Sequence, residues 1–221
     1  MTNLSIEERY NTIYNKKREQ GFNGWLSDKD NEDVKNWFRN LLKITAVKTG
    51  DLLEIGCGAG NISQLLATVG YSVIGIDISK RAVEWAIEKN IKGKFIHGNV
   101  SNLGFIASSS IDIVIDSLCL HCLIEGDRAK TISEIHRVLK EKGDFLVVSM
   151  CGNPRGEKLI PHFNPNTRYV EFDGIPECYF GCVEDILNEL RSVNFEIVSH
   201  QVIDGDDKTG DQDMLLAVCR K

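Results

Sequence analysis

The sequence predicts an α/β fold: a doubly wound, mostly parallel sheet of seven strands with an antiparallel last strand and helices on both faces. Three observations carry this. Strand-like and helix-like segments alternate from residue 51 to residue 150. The first strand runs straight into the glycine-rich turn GCGAG, from which a helix starts. Near the C-terminus only the polar loop DGDDKTGDQD separates two strands, which leaves no crossover helix and so pairs them antiparallel.

Each element follows in order. In residues 32–47, Val34, Trp37, Phe38, Leu41 and Leu42 recur at the spacing of one helix face. A strand at 51–55 reaches the glycines, and residues 61–68 form the next helix. YSVIGID is a second strand ending at Asp77, with Ser79 as N-cap of a helix carrying Val83, Ala86 and Ile87. Strands follow at 94–98 and 111–116, then a helix through Ile132, Ile135 and Leu139 stopped near Gly143, then a strand at 144–149. A helix at 183–193 and strands FEIVSHQVI and MLLAVCR complete the sheet.

Two segments fall outside this scheme. Residues 1–31 form an N-terminal cap whose Tyr10, Tyr14, Phe22 and Trp25 either close over the ligand edge or pack the first helix onto the body. Residues from about 151 to 182 lack periodicity and hold all four prolines. An irregular insertion of that length is either a substrate lid or a surface excursion docked by its aromatics. With those two additions, residues 32–221 read as one domain.

Composition bounds the function. A hydrophobic share of 42% with 26% charged residues fits a folded chain. No apolar run reaches the length of a signal core or a membrane span, so a cytoplasmic protein without membrane contact is expected. Seven cysteines, an odd number, argue for reduced thiols and against a disulfide scaffold. The formal charge of −6 opposes a broad grip on nucleic acid. A monomer or homodimer acting on a small molecule is the expectation.

The glycine turn faces the crevice at the carboxyl edge of the sheet, and Asp77 ends the neighbouring strand, placed to accept from ribose hydroxyls. A nucleoside is implied. The dinucleotide pattern G-x-G-x-x-G fails, because Asn61 stands at the third glycine, and the Gly-Lys-Ser/Thr of a phosphate loop is missing. Glu54, two residues before the first glycine, suits the amine of a nucleoside that bears an amino acid.

These residues, with LLEIGCGAG, IGIDIS, HGNV, IDIVIDSLCLHCL and IHRVLKEKGDFLVVS, resemble the class I S-adenosylmethionine-dependent methyltransferases from about residue 34 to the C-terminus. The resemblance implies S-adenosylmethionine as cofactor, with Glu54, Gly56 and Gly58 at its methionine end, Asp77 on the ribose, and Asn99 with Val100 against the adenine. Cys57, Gly60, Ile78, Ser117 and Leu118 complete that cofactor site. The family more often has aspartate where this chain has Asn99, and an amide oxygen still accepts from the adenine amino group. The implied activity is methyl transfer to a small molecule, at an oxygen, nitrogen or sulfur atom left open. A cofactor-binding sensor or partner subunit without turnover, and a nicotinamide-dependent oxidoreductase, are the competing readings.

His121 is the candidate general base for a hydroxyl acceptor, or else a loop-orienting histidine. Tyr14, Trp25, Cys122, Cys151, Arg168 and Tyr179 are the candidate acceptor contacts. In the lid, aromatics alongside Arg155, Lys158, His162 and Arg168 suit a partly aromatic or anionic molecule. The Asn/Asp-Pro-Pro-aromatic tetrapeptide, which resembles methylases of planar nitrogens, is missing after Ile115. Cys119, Cys122, Cys151, Cys178 and Cys182 are expected near one sheet edge, either as apolar wall or as thiolates for a soft metal or metalloid, which would make the chain a metalloid or a zinc-activated thiol methyltransferase. No resident metal is assigned.

Overall fold

The computed structural model describes residues 5–221; residues 1–4 of the N-terminal cap lie outside the described residues. Two helices lead the chain, α1 (Ile6–Glu19) and α2 (Asp28–Ile44). Helix α1 begins with a capping box in which the Ser5 hydroxyl accepts from the Glu8 N–H and the Glu8 carboxylate accepts from Ser5. Then come β1 (Gly50–Ile55), α3 (Asn61–Thr68), β2 (Tyr71–Asp77), α4 (Lys80–Glu88), β3 (Lys94–His97), β4 (Ile111–Ser117) and α5 (Glu125–Val138). Ser79 caps α4 as expected, its hydroxyl accepting from the Ala82 N–H.

Strand β5 (Leu139–Cys151) starts five residues earlier than the sequence suggests. The α5 helix ends at Val138, ahead of Leu139, and Gly143 lies inside the strand, not at a helix stop. Residues between Leu139 and Asp144 bulge against β4, with Lys142 at a φ of +64°, so the segment reads as a turn in sequence.

The lid carries its own small sheet, β6 (Phe163–Asn164), β7 (Tyr169–Phe172) and β8 (Ile175–Tyr179), all antiparallel. Asp173 and Gly174 make its two-residue turn with φ of +52° and +76°, the type I′ geometry that matches strand twist. The chain finishes with α6 (Val183–Ser192), β9 (Glu196–Ile203) and β10 (Asp213–Arg220).

The main sheet has seven strands in the order β3-β2-β1-β4-β5-β10-β9. All pairings are parallel except those of β10, which runs antiparallel to both β5 and β9. Successive residues of the central strands feed opposite faces. Leu52, Ile113, Leu146 and Leu216 pack with α2 and α3 on one side. Leu53, Val114, Phe145 and Leu215 pack with α5 and α6 on the other. Strand order reverses between β1 and β4, which opens the crevice at their carboxyl ends. Among the described residues no helix is long and apolar enough to cross a membrane.

Candidate functional site

The floor of the crevice is the turn after β1. Gly56 and Gly58 sit at φ of +68° and +52°, where a side chain is strained. A Cβ at Gly58 would stand 2.5 Å from the Tyr14 hydroxyl, so the glycine lets α1 close onto the loop. Glu54, at the end of β1, is 1% exposed. Its Oε2 accepts from the Ser63 hydroxyl of α3, while its Oε1 has no partner in the protein. Burial lifts this carboxyl to about 8, against the opposing hydrogen bond of Ser63.

Asp77 ends β2 beside the loop. It accepts from the Gly58 N–H at 2.8 Å with Oδ2 and from the Ser79 N–H at 2.8 Å with Oδ1. Burial raises it to about 6 against those two bonds. Each oxygen keeps a lone pair for a further donor. Asn99 follows β3 in an Asx turn, its Oδ1 accepting from the Ser101 N–H at 2.9 Å, and Val100 is buried next to it.

The wall comes from the end of β4. Leu118 takes a φ of +62°, a left-handed conformation that costs a leucine roughly 1–2 kcal/mol. The bend aims the N–H groups of Cys119 and Leu120 at Asp116 Oδ1, at 2.8 and 2.9 Å. A short 3-10 turn, Leu120–Cys122, then presents His121 and Cys122. His121 is buried and its Nδ1 has no partner. Burial pulls its pKa down, but contact with Cys122 and the Asp116 charge outweigh that, leaving it raised. Arg128 of α5 braces the turn: it donates to the Leu120 carbonyl at 2.5 Å and to Glu189 at 2.7 Å, and lies 4.6 Å from the Tyr179 ring centre.

The roof is α1 with the segment behind it. Trp25 stacks against Tyr10 and Tyr14 with ring centres 5.7 and 5.5 Å apart. Lys89 ties this cap to the glycine loop by donating to the carbonyls of Asn23 and Ala59 and to Asn61 Oδ1. Asn61, in the place of the third glycine, also donates to Asn31 of α2. Arg9 of α1 pairs with Glu177 of β8, so cap and lid meet over the crevice.

Together these elements enclose a cavity of about 400 Å³. Glu54, Gly56, Cys57, Gly58, Asp77 and Ile78 line it, as do Asn99, Val100, Ser117 and Leu118. His121, Cys122, Tyr14 and Trp25 line it too. Gly60 does not: it caps α3, where a Cβ would strike Ile91 at 2.5 Å. Cys151, Arg168 and Tyr179 also stand outside. Cys151 is 1% exposed in the core. Arg168 donates to the carbonyls of Gly152 and Phe180 and to Asn153, holding the lid's base. Tyr179 packs on Arg128 and Tyr169. The other lid cations are absent from the lining as well: Arg155 is bound by Asp207 and Asp213, and His162 stacks on Phe172.

The cysteines separate. Cys119, Cys122 and Cys178 line the cavity, and Cys182 is exposed at the start of α6. Among the described residues no three His, Cys, Asp or Glu side chains stand together as a metal site. Sequence reasoning missed Arg9, Glu177 and Asn31, which reach the cavity from the cap helices and the lid. The signals were Ser5-x-x-Glu8, a helix start, and Asp173-Gly174, a hairpin turn.

The arrangement fits an amino-acid-bearing nucleoside. A buried carboxyl with a free oxygen faces the cavity at one end, and the Asp77 carboxylate stands across the glycine loop. The methyltransferase domain family matches residues 53–147. An uncharacterized methyltransferase of Schizosaccharomyces pombe is 35% identical over 112 residues, 48% of this chain and 76% of that protein. An uncharacterized RNA methyltransferase of Clostridium acetobutylicum is 31% identical over 79% of this chain but 32% of its own length. Of two further curated relatives the chain spans 37% and 51% of the length. Among solved structures, a SAM-dependent methyltransferase of Methanosarcina mazei superposes with a TM-score of 0.69 at 25% identity, covering 82% of this chain and 96% of that one.

Proposed function

Because this chain belongs to the class I S-adenosylmethionine-dependent methyltransferases, we propose that it moves a methyl group from S-adenosylmethionine to a small-molecule acceptor. One observation carries the small-molecule half of this reading: cap and lid meet over a cavity of about 400 Å³, near the low end of the ~300–1,000 Å³ range of ligand pockets. A nucleoside cofactor leaves room there for a compact acceptor only.

Bound S-adenosylmethionine supplies an electrophilic methyl group on a cationic sulfur. Glu54 holds the amino end with its free Oε1, and Asp77 accepts from the ribose. Asn99 and Val100 border the base, and Ser117 with Leu118 form the wall between the two ligands. The acceptor half is lined by Tyr10, Leu159, Phe180 and Cys178, with His121 and Cys122 at its end. Rigid placement of the acceptor lone pair behind the methyl carbon provides most of the catalysis. For a hydroxyl acceptor, the imidazole of His121 takes the proton; a thiolate or neutral amine needs no base. Because Arg155 and Arg168 are committed elsewhere, the pocket selects a weakly charged, apolar acceptor and not an anion.

RNA is the competing acceptor, favoured by the similarity to the Clostridium acetobutylicum protein. The net charge of −6 and the roofed cavity oppose it. Incubation with methyl-labelled S-adenosylmethionine and a cell extract split into small-molecule, RNA and protein fractions decides between them. S-adenosylhomocysteine forms with the small-molecule fraction under this reading. Label in RNA or protein overturns the acceptor class, and cofactor binding with no turnover in any fraction overturns the enzyme reading.

A further inference from the structure

His121 lines the cavity, yet its Nδ1 has no partner, so no side chain orients the imidazole through that nitrogen. Its backbone does the placing. Leu120, the residue before it, is held at both ends: its N–H donates to Asp116 Oδ1 at 2.9 Å, and its carbonyl accepts from Arg128 Nη1 at 2.5 Å. Asp116 belongs to β4 and is fixed by the sheet. Arg128 belongs to α5, and its guanidinium is set from two sides. Its Nε donates to Glu189 of α6 at 2.7 Å, and its plane lies 4.6 Å from the ring centre of Tyr179 on the lid strand β8. Arg128 is 4% exposed, a burial at which a guanidinium–ring contact is stronger than on a surface. A second lid tyrosine lands on the same helix: the Tyr169 hydroxyl of β7 accepts from the N–H of Glu125, the first residue of α5, at 3.0 Å. The Tyr169 and Tyr179 rings stand 5.4 Å apart. The lid hairpin therefore rests on the residue that holds the His121 turn.

We propose that Arg128 is a positioning residue for methyl transfer, set by the docked lid through Tyr179 and acting through Leu120 on His121. With the hairpin docked, the Tyr179 ring packs on the guanidinium, Nη1 stays on the Leu120 carbonyl, and the 3-10 turn presents His121 to the cavity. With the hairpin lifted, Arg128 loses that face and is drawn toward Glu189, which leaves the Leu120 carbonyl with the Leu123 N–H alone. Catalysis by placement is sensitive to such a change, since a shift of about 1 Å costs on the order of 100-fold. Tyr179 thus bears on the acceptor without touching it, because it stands outside the cavity lining. The part His121 plays in the reaction rests on the proposed function; the coupling of lid to turn does not.

The test uses the full chain with Tyr179→Leu, Tyr179→Phe and Arg128→Lys; phenylalanine keeps a ring on the guanidinium and leucine does not. Amide hydrogen exchange should show the Leu120 and Leu123 N–H groups about tenfold less protected in Tyr179→Leu and Arg128→Lys, and unchanged in Tyr179→Phe. The Leu118 N–H, bonded to the Val148 carbonyl across the sheet, should stay protected in all three. With methyl-labelled S-adenosylmethionine and the small-molecule fraction, turnover should fall about tenfold in the same two variants, while affinity for S-adenosylhomocysteine stays within about twofold. In a His121→Gln background Tyr179→Leu should cost nothing further, because a positioning residue acts through the group it places. Should Arg128→Lys not fold, the two Tyr179 variants decide. Unchanged protection in Tyr179→Leu, an equal loss in Tyr179→Phe, full turnover in His121→Gln, or a full further loss in the double variant overturns the proposal. No turnover by the unaltered chain is failure of the enzyme reading, and the exchange measurement still decides the coupling of lid to turn.

Discussion

At the scale of single residues, the proposed function gives two buried carboxyls, Glu54 and Asp77, the ligand's polar ends. Glu54 at about 8 is mostly protonated at neutral pH, yet an ammonium group binds its ionised form. Below pH 8 that proton must leave first, which weakens binding up to about tenfold per pH unit. Calorimetric titration with S-adenosylhomocysteine should therefore show affinity rising from pH 6 to pH 8, and Glu54→Gln should weaken binding and flatten the slope. Asp77→Ala removes both the ribose acceptor and the anchor of the Gly58 and Ser79 N–H groups, and should cost at least about tenfold in the same titration, with the far-ultraviolet circular dichroism unchanged. Glu54 and Asp77 were legible because each ends a strand next to a glycine turn, and strand ends of this fold face the ligand. Leu118 was named through the family resemblance, but its left-handed backbone was not legible, since it is set by Asp116 gathering the N–H groups behind it. Arg168 misled for a related reason: a lid arginine looks free in sequence, and backbone carbonyls take it in the fold.

Among elements, the lid and the cap act as one cover. Arg9 and Glu177 are each about a third exposed, so their pair contributes little to global stability, but it joins α1 to β8. Arg9→Ala should speed hydrogen exchange in β8 and the first turns of α1 and leave β1, β4 and β5 protected; uniform exchange would mean that cap and lid are uncoupled. Arg128 is the firmer link, because a buried guanidinium joins α5, α6, the Leu120 carbonyl and the Tyr179 ring. Its loss leaves Glu189 without a donor and the Leu120 carbonyl with only the Leu123 N–H, and Arg128→Ala should lower stability by about 3 kcal/mol in urea unfolding. Helices α2, α3 and α4 were readable from apolar spacing and caps. Helix α1 was hidden because charged residues surround its Tyr10, Ile13 and Tyr14, which face the cavity and not the main core. The lid sheet was hidden because its strands are two to five residues long, too short for periodicity to register.

Over the whole molecule, sheet order follows from the alternation of elements and the short final loop, and the burial of ionisable groups follows only from the assembled fold. Glu54, Asp77 and Asp116 all have native pKa values raised by burial, to about 8, 6 and 6. The native state therefore holds more protons than the unfolded chain, and stability falls as pH rises, first from about 4 to 6 through the aspartates and then to about 8 through Glu54. Thermal unfolding of the ligand-free chain should show a midpoint that declines from pH 5 to pH 8, with the decline above pH 6 lost in Glu54→Gln; a midpoint that rises over this range would contradict the burial of these carboxyls. Such burial is a cost that a cationic ligand offsets, which links the stability of the fold to its occupation. The most direct measurement is a crystal structure with S-adenosylhomocysteine bound. The account predicts the amino group on Glu54, the ribose on Asp77, and the sulfur beside Leu118 facing His121, Cys122 and Tyr10 across free space. A ligand outside this cavity, or a sulfur turned away from that space, would contradict it.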